Sequence, residues 1–196
     1  MPPIQHHHID MPATRKREMR AYSKRHYGYA AVKLKPRVIV EHIAVAPTWK
    51  SVWNTFEPDV PDSELHELPG LCSHYVIGET GQIIELVPPR LRCRHTVGLN
   101  HVAIGIEHVG VSDADVMGRR RQLIASLKLT RWLASRYGIR TADVIGHSES
   151  LSSPYHRERA AAMRNRTHGD FSSKTMRRYR RLMEDYRFLP PGPRDG

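Results

Sequence analysis

The sequence predicts an α/β domain: a single mixed central β-sheet flanked by helices. Three observations carry that expectation. Two apolar runs rich in β-branched residues, "RVIVEHIAV" at 37–45 and "HVAIGIEHVG" at 101–110, read as strands buried on both faces. The stretch "SHYVIGETGQIIELV" at 73–87 reads as a hairpin, two β-rich runs around a turn at Glu79, Thr80 and Gly81. Between Arg119 and Tyr137 apolar residues recur at helical spacing: Leu123, Leu127, Thr130, Leu133 or Ala134, and Tyr137.

The remaining elements follow in order. Residues 1–13, rich in proline and histidine, read as an extended arm. Thr14 is placed to cap a short helix over 15–27 that Gly28 closes. After the first strand, Pro47 and Thr48 open the short helix "WKSVWNTF". Residues 57–70, "EPDVPDSELHELPG", hold too many breakers for anything but a loop. Gly138 ends the long helix, and "ADVIGH" at 142–147 gives a short strand. A last helix is expected over 174–187, with Met176, Tyr179, Leu182, Met183 and Tyr186 inward and arginines outward. The domain organisation expected is an arm and helix at 1–36, one catalytic domain at 37–190, and a tail at 191–196.

Composition narrows the class. With 39 % hydrophobic and 26 % charged residues in 196, the chain has the make-up of a globular protein with a real core. No apolar run approaches the ~18 residues of a membrane span. The opening "MPPIQHHHIDMPATRKREMR" lacks the apolar stretch of a secretory signal, so the chain is either made without one or numbered after its removal. A net charge of +11 favours polyanions, anionic cell-wall polymers among them. The basic clusters at 15–25, 119–121 and 177–181 come with no nucleic-acid motif, so specific nucleic-acid binding is not expected. Two cysteines, Cys72 and Cys93, cannot build a cysteine zinc site; they flank the hairpin, which leaves a disulfide between them open.

Chemistry-bearing residues sit in or at the ends of the strands: His42 in the first, Glu107 near the end of "AIGIE", His147 at the end of "VIGH". Neighbouring strands would aim these into one cleft, and a catalytic zinc takes three such protein ligands with one position left open. His168 or Asp170, in "RTHGDF", can supply the third. Each residue alone has an ordinary alternative: a hydrogen-bonded core histidine, a solvent-facing edge glutamate, a loop histidine. With thirteen histidines in the chain and no local HExxH-type signature, spacing alone does not decide.

The order of the segments adds information. "VIVEHIAVA", "SHYVIGETGQIIELVP", "RHTVGLNHVAIGIEHVG" and "VIGHSE" resemble, in sequence order, the zinc-dependent N-acetylmuramoyl-L-alanine amidases of the type 2 family, which share a fold with peptidoglycan recognition proteins. The resemblance covers about residues 37–188 and implies the peptidoglycan recognition protein-like amidase fold. It also implies one Zn2+ per chain, peptidoglycan as partner, and hydrolysis of the amide between N-acetylmuramic acid and L-alanine. His42 and His147 match the first two zinc ligands and His168 the third, with Asp170 competing. Glu107 matches the catalytic glutamate. Arg166 stands where the family often has lysine, keeping the charge but giving up no proton. His95 and Asn100 match substrate-contacting positions. A long insert, "LSSPYHRERAAAMRN", and the first 36 residues are not accounted for. A monomer acting outside the cell or at the wall is expected, with a phage endolysin made in the cytoplasm as the alternative. The rival function is a peptidoglycan-binding module that does not cut.

Overall fold

The apolar runs become the middle of one six-stranded sheet. The computed structural model describes residues 1–185. Its strands are β1 (Gln5–His6), β2 (Val38–Val45), β3 (Tyr75–Ile77), β4 (Ile83–Glu85), β5 (Ala103–Gly110) and β6 (Val144–Gly146), in the spatial order β1-β4-β3-β5-β2-β6. Only the β3–β4 hairpin is antiparallel. β5 is buried along its whole length and β2 along its first five residues, which is why both lack polar alternation.

Helices cover both faces. On one side Ile39, Ile104, Ile106, Tyr75 and Ile77 pack against α4 (Arg120–Tyr137) and α5 (Ser173–Glu184). The stripe expected on α4 is there. Thr130 belongs to it because its hydroxyl donates 2.8 Å to the buried Glu41 carboxylate. Gly138 closes α4 in the left-handed region at φ 65°, as its position suggested. Met176, Tyr179 and Met183 form the buried face of α5; Tyr186 and the 191–196 tail lie outside the described residues. On the other side α2 (Trp49–Phe56), capped by Thr48, packs Val52 and Phe56 against Val76, Ile84 and Val109.

The structure departs from the sequence expectations in four places. α1 runs Ala13–Tyr27 from Pro12, and Thr14 is inside it rather than its cap. Two residues of the arm pair in parallel with β4 as β1. A short helix, α3 (Asp113–Gly118), follows β5, with the Ser112 side chain accepting from Asp115 N–H. The strand expected at 142–147 is reduced to three residues, preceded by a 3-10 turn over Thr141–Asp143.

α1 is docked into the domain. Arg15, 1 % exposed, donates to the carbonyls of Phe56, Glu57 and Leu71. His26, fully buried, lies between Glu67 of the 57–70 loop and Glu158 of the insert, 2.9 Å from each. One helix thus ties together the two loops flanking the sheet's C-terminal edge. Cys72 and Cys93 are buried free thiols.

Candidate metal centre and its cleft

The site forms on the sheet face opposite α4 and α5. His42 on β2 and Glu107 on β5 are register partners, so their side chains share a face and stand side by side. His147 begins a 3-10 turn directly after β6, the strand on the other side of β2. The 167–171 segment returns over these strand ends: Ser148 N–H donates to the Asp170 carbonyl and Ile43 N–H to Asp170 Oδ2, both at 2.9 Å. These main-chain bonds aim the Asp170 carboxylate between the two imidazoles. His42 Nδ1 and His147 Nδ1 each lie 3.8 Å from an Asp170 oxygen. Three potential ligand atoms, one each from His42, His147 and Asp170, all lie within 4.8 Å of one another.

The donor set suits a zinc-type ion. Burial, the larger cause, and the neighbouring imidazoles push His42 well below the usual histidine range, and burial takes His147 down to about 3. Both rings are therefore neutral and free to ligate. The tautomer of His42 follows from its neighbours. His95 Nε2 faces the Ala103 carbonyl at 3.3 Å, an acceptor only, so that nitrogen carries the proton. His95 Nδ1 is then an acceptor, 3.0 Å from His42 Nε2. His42 must donate there, which leaves its Nδ1 lone pair turned toward Asp170. Thr96 Oγ1, 3.3 Å from His42 Nε2, backs the same arrangement. The His95 ring fits because residue 105 is glycine: a Cβ there would come within 2.7 Å of it.

His168 is elsewhere. Its ring stacks on His147 with centroids 4.8 Å apart, but its Nε2 is 3.1 Å from Glu64 Oε2, and the side chain is 56 % exposed. Arg166 donates 2.8 Å to the other Glu64 oxygen. Together they close a bridge from the insert side of the cleft to the 57–70 loop. His95 lines the cleft as well as backing His42. Asn100, 2 % exposed, uses its side chain within the chain: Oδ1 accepts from His95 N–H and Thr96 N–H, and Nδ2 donates to the Tyr22 hydroxyl of α1.

The cleft above these groups has a volume of about 350 Å³. Glu107 is in its wall, raised to about 8 chiefly by burial and then by the Asp170 charge. Tyr22, Arg94 and Asp62, which the sequence reading did not single out, also line it. Arg94 and Asp62 form a buried ion pair that fixes the 57–70 loop against the floor. A sequence signal for Arg94 was its place next to His95; nothing local marked Tyr22 or Asp62.

The model of the N-acetylmuramoyl-L-alanine amidase family matches residues 32–168. The chain belongs to that family. The matched stretch of this amidase-family chain contains His42, His95, Glu107, His147 and Arg166; Asp170 lies two residues beyond its end and α1 before its start. The fold is shared with solved structures at low identity. The N-acetylmuramoyl-L-alanine amidase LysC from Clostridium intestinale URNW is 19 % identical, with 76 % of this chain and 85 % of that one covered and a TM-score of 0.52. A mutant endolysin from Bacillus subtilis is also 19 % identical, with the same coverage and a TM-score of 0.53. The PlyG catalytic domain is 15 % identical over 98 % of this chain and 99 % of that one, with a TM-score of 0.55. A search of curated protein sequences found no match. Among the described residues no helix is long and apolar enough to cross a membrane.

Proposed function

We propose that this chain is a zinc-dependent hydrolase of the amide joining the lactyl group of N-acetylmuramic acid to L-alanine in peptidoglycan. The observation that carries the reading is the convergence of His42, His147 and Asp170 beside Glu107 in one cleft. In this reading the ion is held by His42, His147 and Asp170, with Asp170 in the place the sequence reading favoured for His168. When bound, zinc supplies a Lewis acid that polarises an amide carbonyl and makes water acidic enough to attack at neutral pH.

The chain's own residues do the rest. His95 and Thr96 keep His42 in its ligating tautomer. Glu107 takes the proton of the attacking water and passes it to the departing amine. Burial, and after it the Asp170 charge, raise its pKa to about 8, near the range where one carboxyl can do both. Arg166 adds fixed positive charge at the rim, and it reaches substrate only by leaving Glu64. The +11 net charge holds the protein against anionic wall polymers. The work is done at the cell wall, reached by export or from within a cell undergoing lysis.

The test compares the wild type with Asp170→Ala and His168→Ala for zinc content and for release of L-alanine amino termini from peptidoglycan. The expected result is one zinc fewer than wild type and no release for Asp170→Ala, with the zinc content unchanged in His168→Ala. A wild type that binds peptidoglycan yet releases no amino termini with zinc supplied would leave a recognition module instead.

A further inference from the structure

A second group of ligating side chains lies at the opposite edge of the sheet. The arm begins "MPPIQHHHID", and β1 places His6 directly opposite Glu85 of β4. The chain stays extended past His6. His7 N–H donates to the Glu85 carbonyl and Ile9 N–H to the Leu86 carbonyl, both at 3.0 Å, and Ile9 is 3 % exposed among the residues packed around α2. Strand alternation then gives His6 and His8 one side and His7 the other. His7 accordingly packs edge-on to Trp49 and Trp53, with centroids 5.3 and 4.9 Å away. His6 Nδ1 and His8 Nε2 both turn to Glu85 Oε1, at 3.3 and 2.9 Å. The carboxylate is itself oriented: the hydroxyl of buried Tyr75 donates 3.0 Å to its other oxygen.

We propose that His6, His8 and Glu85 form a second metal site, for a borderline divalent ion of the zinc, nickel or copper class. Three ligand atoms, one from each residue, lie within 4.8 Å of one another. Two imidazole nitrogens and one carboxylate oxygen match such ions rather than calcium or magnesium, which take oxygen ligands. All three ligands stand on backbone held in register, and the carboxylate has the hydrogen-bonded support that metal-ligating carboxylates commonly have. β1 and β2 are four steps apart in the strand order, so the site is about 19 Å from His42 at ordinary strand spacing. An ion here clamps the start of the chain to β4 and closes the exposed edge of the sheet.

The proposal is independent of the catalytic reading, and one set of full-length variants separates them. Apo-protein is titrated with Zn2+, and bound metal and thermal midpoint are measured for wild type, Asp170→Ala, His7→Ala and the double variant His6→Ala/His8→Ala, with the midpoint also followed in the triple variant that adds Asp170→Ala to the double. The expected stoichiometry is two for wild type and His7→Ala, and one for each of the other two variants. Zn2+ should still raise the midpoint of Asp170→Ala, and that rise should vanish when His6 and His8 are also replaced. His6 and His8 are exposed, so their replacement leaves the fold and amidase activity intact. A His7→Ala variant that loses metal as readily as the double variant would show a loose histidine tract rather than a built site. Unchanged stoichiometry in the double variant would overturn the proposal outright, whatever Asp170→Ala shows.

Discussion

Replacing His95 tests whether it holds His42 or touches substrate. In His95→Ala the buried His42 Nε2–H keeps only the Thr96 hydroxyl, at 3.3 Å. The other tautomer, with the proton on Nδ1 facing Asp170, becomes the better one, and that form cannot ligate through Nδ1. Leaving a buried donor poorly satisfied costs about 1–3 kcal/mol. Charged to the ligating tautomer, this lowers zinc affinity by about 10- to 100-fold, the usual range for losing such a supporting partner. His95→Gln keeps an acceptor at this position and should recover much of the loss. The assay is chelator competition for affinity, with muropeptide turnover measured at limiting and saturating zinc. Turnover should fall at limiting zinc and return toward wild type at saturation. Unchanged affinity with a raised KM at saturating zinc would refute the reasoning and make His95 a substrate contact.

Three further outcomes follow from buried groups. Glu107→Gln should keep its zinc while kcat drops by about 100- to 10,000-fold, the usual worth of a general acid–base; metal lost along with activity would assign Glu107 to the ligand set instead. His26→Ala leaves the buried Glu158 carboxylate without its charged partner, holding only the Ala160 N–H at 2.8 Å, and should cost about 3–5 kcal/mol. At about 2–4 °C per kcal/mol for a chain of this size, calorimetry should show a midpoint lower by roughly 6–20 °C, and a drop within error would mean the clamp carries no load. The clamp also sets a pH window. Burial pulls His26 down, but Glu158 and Glu67 outweigh it and raise the pKa above 6.5; burial pushes Glu67 up, but His26 and Arg25 hold it below 4.5. The His26 contribution is complete below 6.5 and fades as pH rises through its raised pKa, and the Glu67 contribution is complete above 4.5 and fades as pH falls through its lowered one. Wild type minus His26→Ala stability should therefore peak between those values.

How much of this was legible depends on whether the deciding force is local. β2, β5 and α4 could be read because burial imposes a pattern on consecutive residues: continuous apolar runs for the strands, a 3.6-residue stripe for the helix. α3 carried a signal that went unread. Ser112 and Asp115 have the spacing of a capping box, and the Ser112 side chain does accept from Asp115 N–H. β1 carried almost none, since two polar residues become a strand only because β4 offers them a partner. Which residue joins His42 and His147 in the candidate metal group was undecidable locally for a sharper reason. His168 and Asp170 are two residues apart, so in an extended segment they share a side, and periodicity cannot choose between them. The choice lies in contacts with Ile43 and Ser148, 127 and 22 residues away along the chain. There the main-chain donors capture the aspartate, and His168 swings out to Glu64.

Charge was misleading in the same way. A net +11 suggests a basic surface, yet Arg15, Arg92 and Arg94 are 1 %, 3 % and 2 % exposed. Their guanidinium groups are occupied with carbonyls, hydroxyls and Asp62, fastening α1 and the 57–70 loop beside the cleft. Five donors in a planar fork let one arginine satisfy several loop acceptors at once, which lysine cannot reproduce. The walls of the cleft therefore depend on residues that look, in the sequence, like ordinary surface charge.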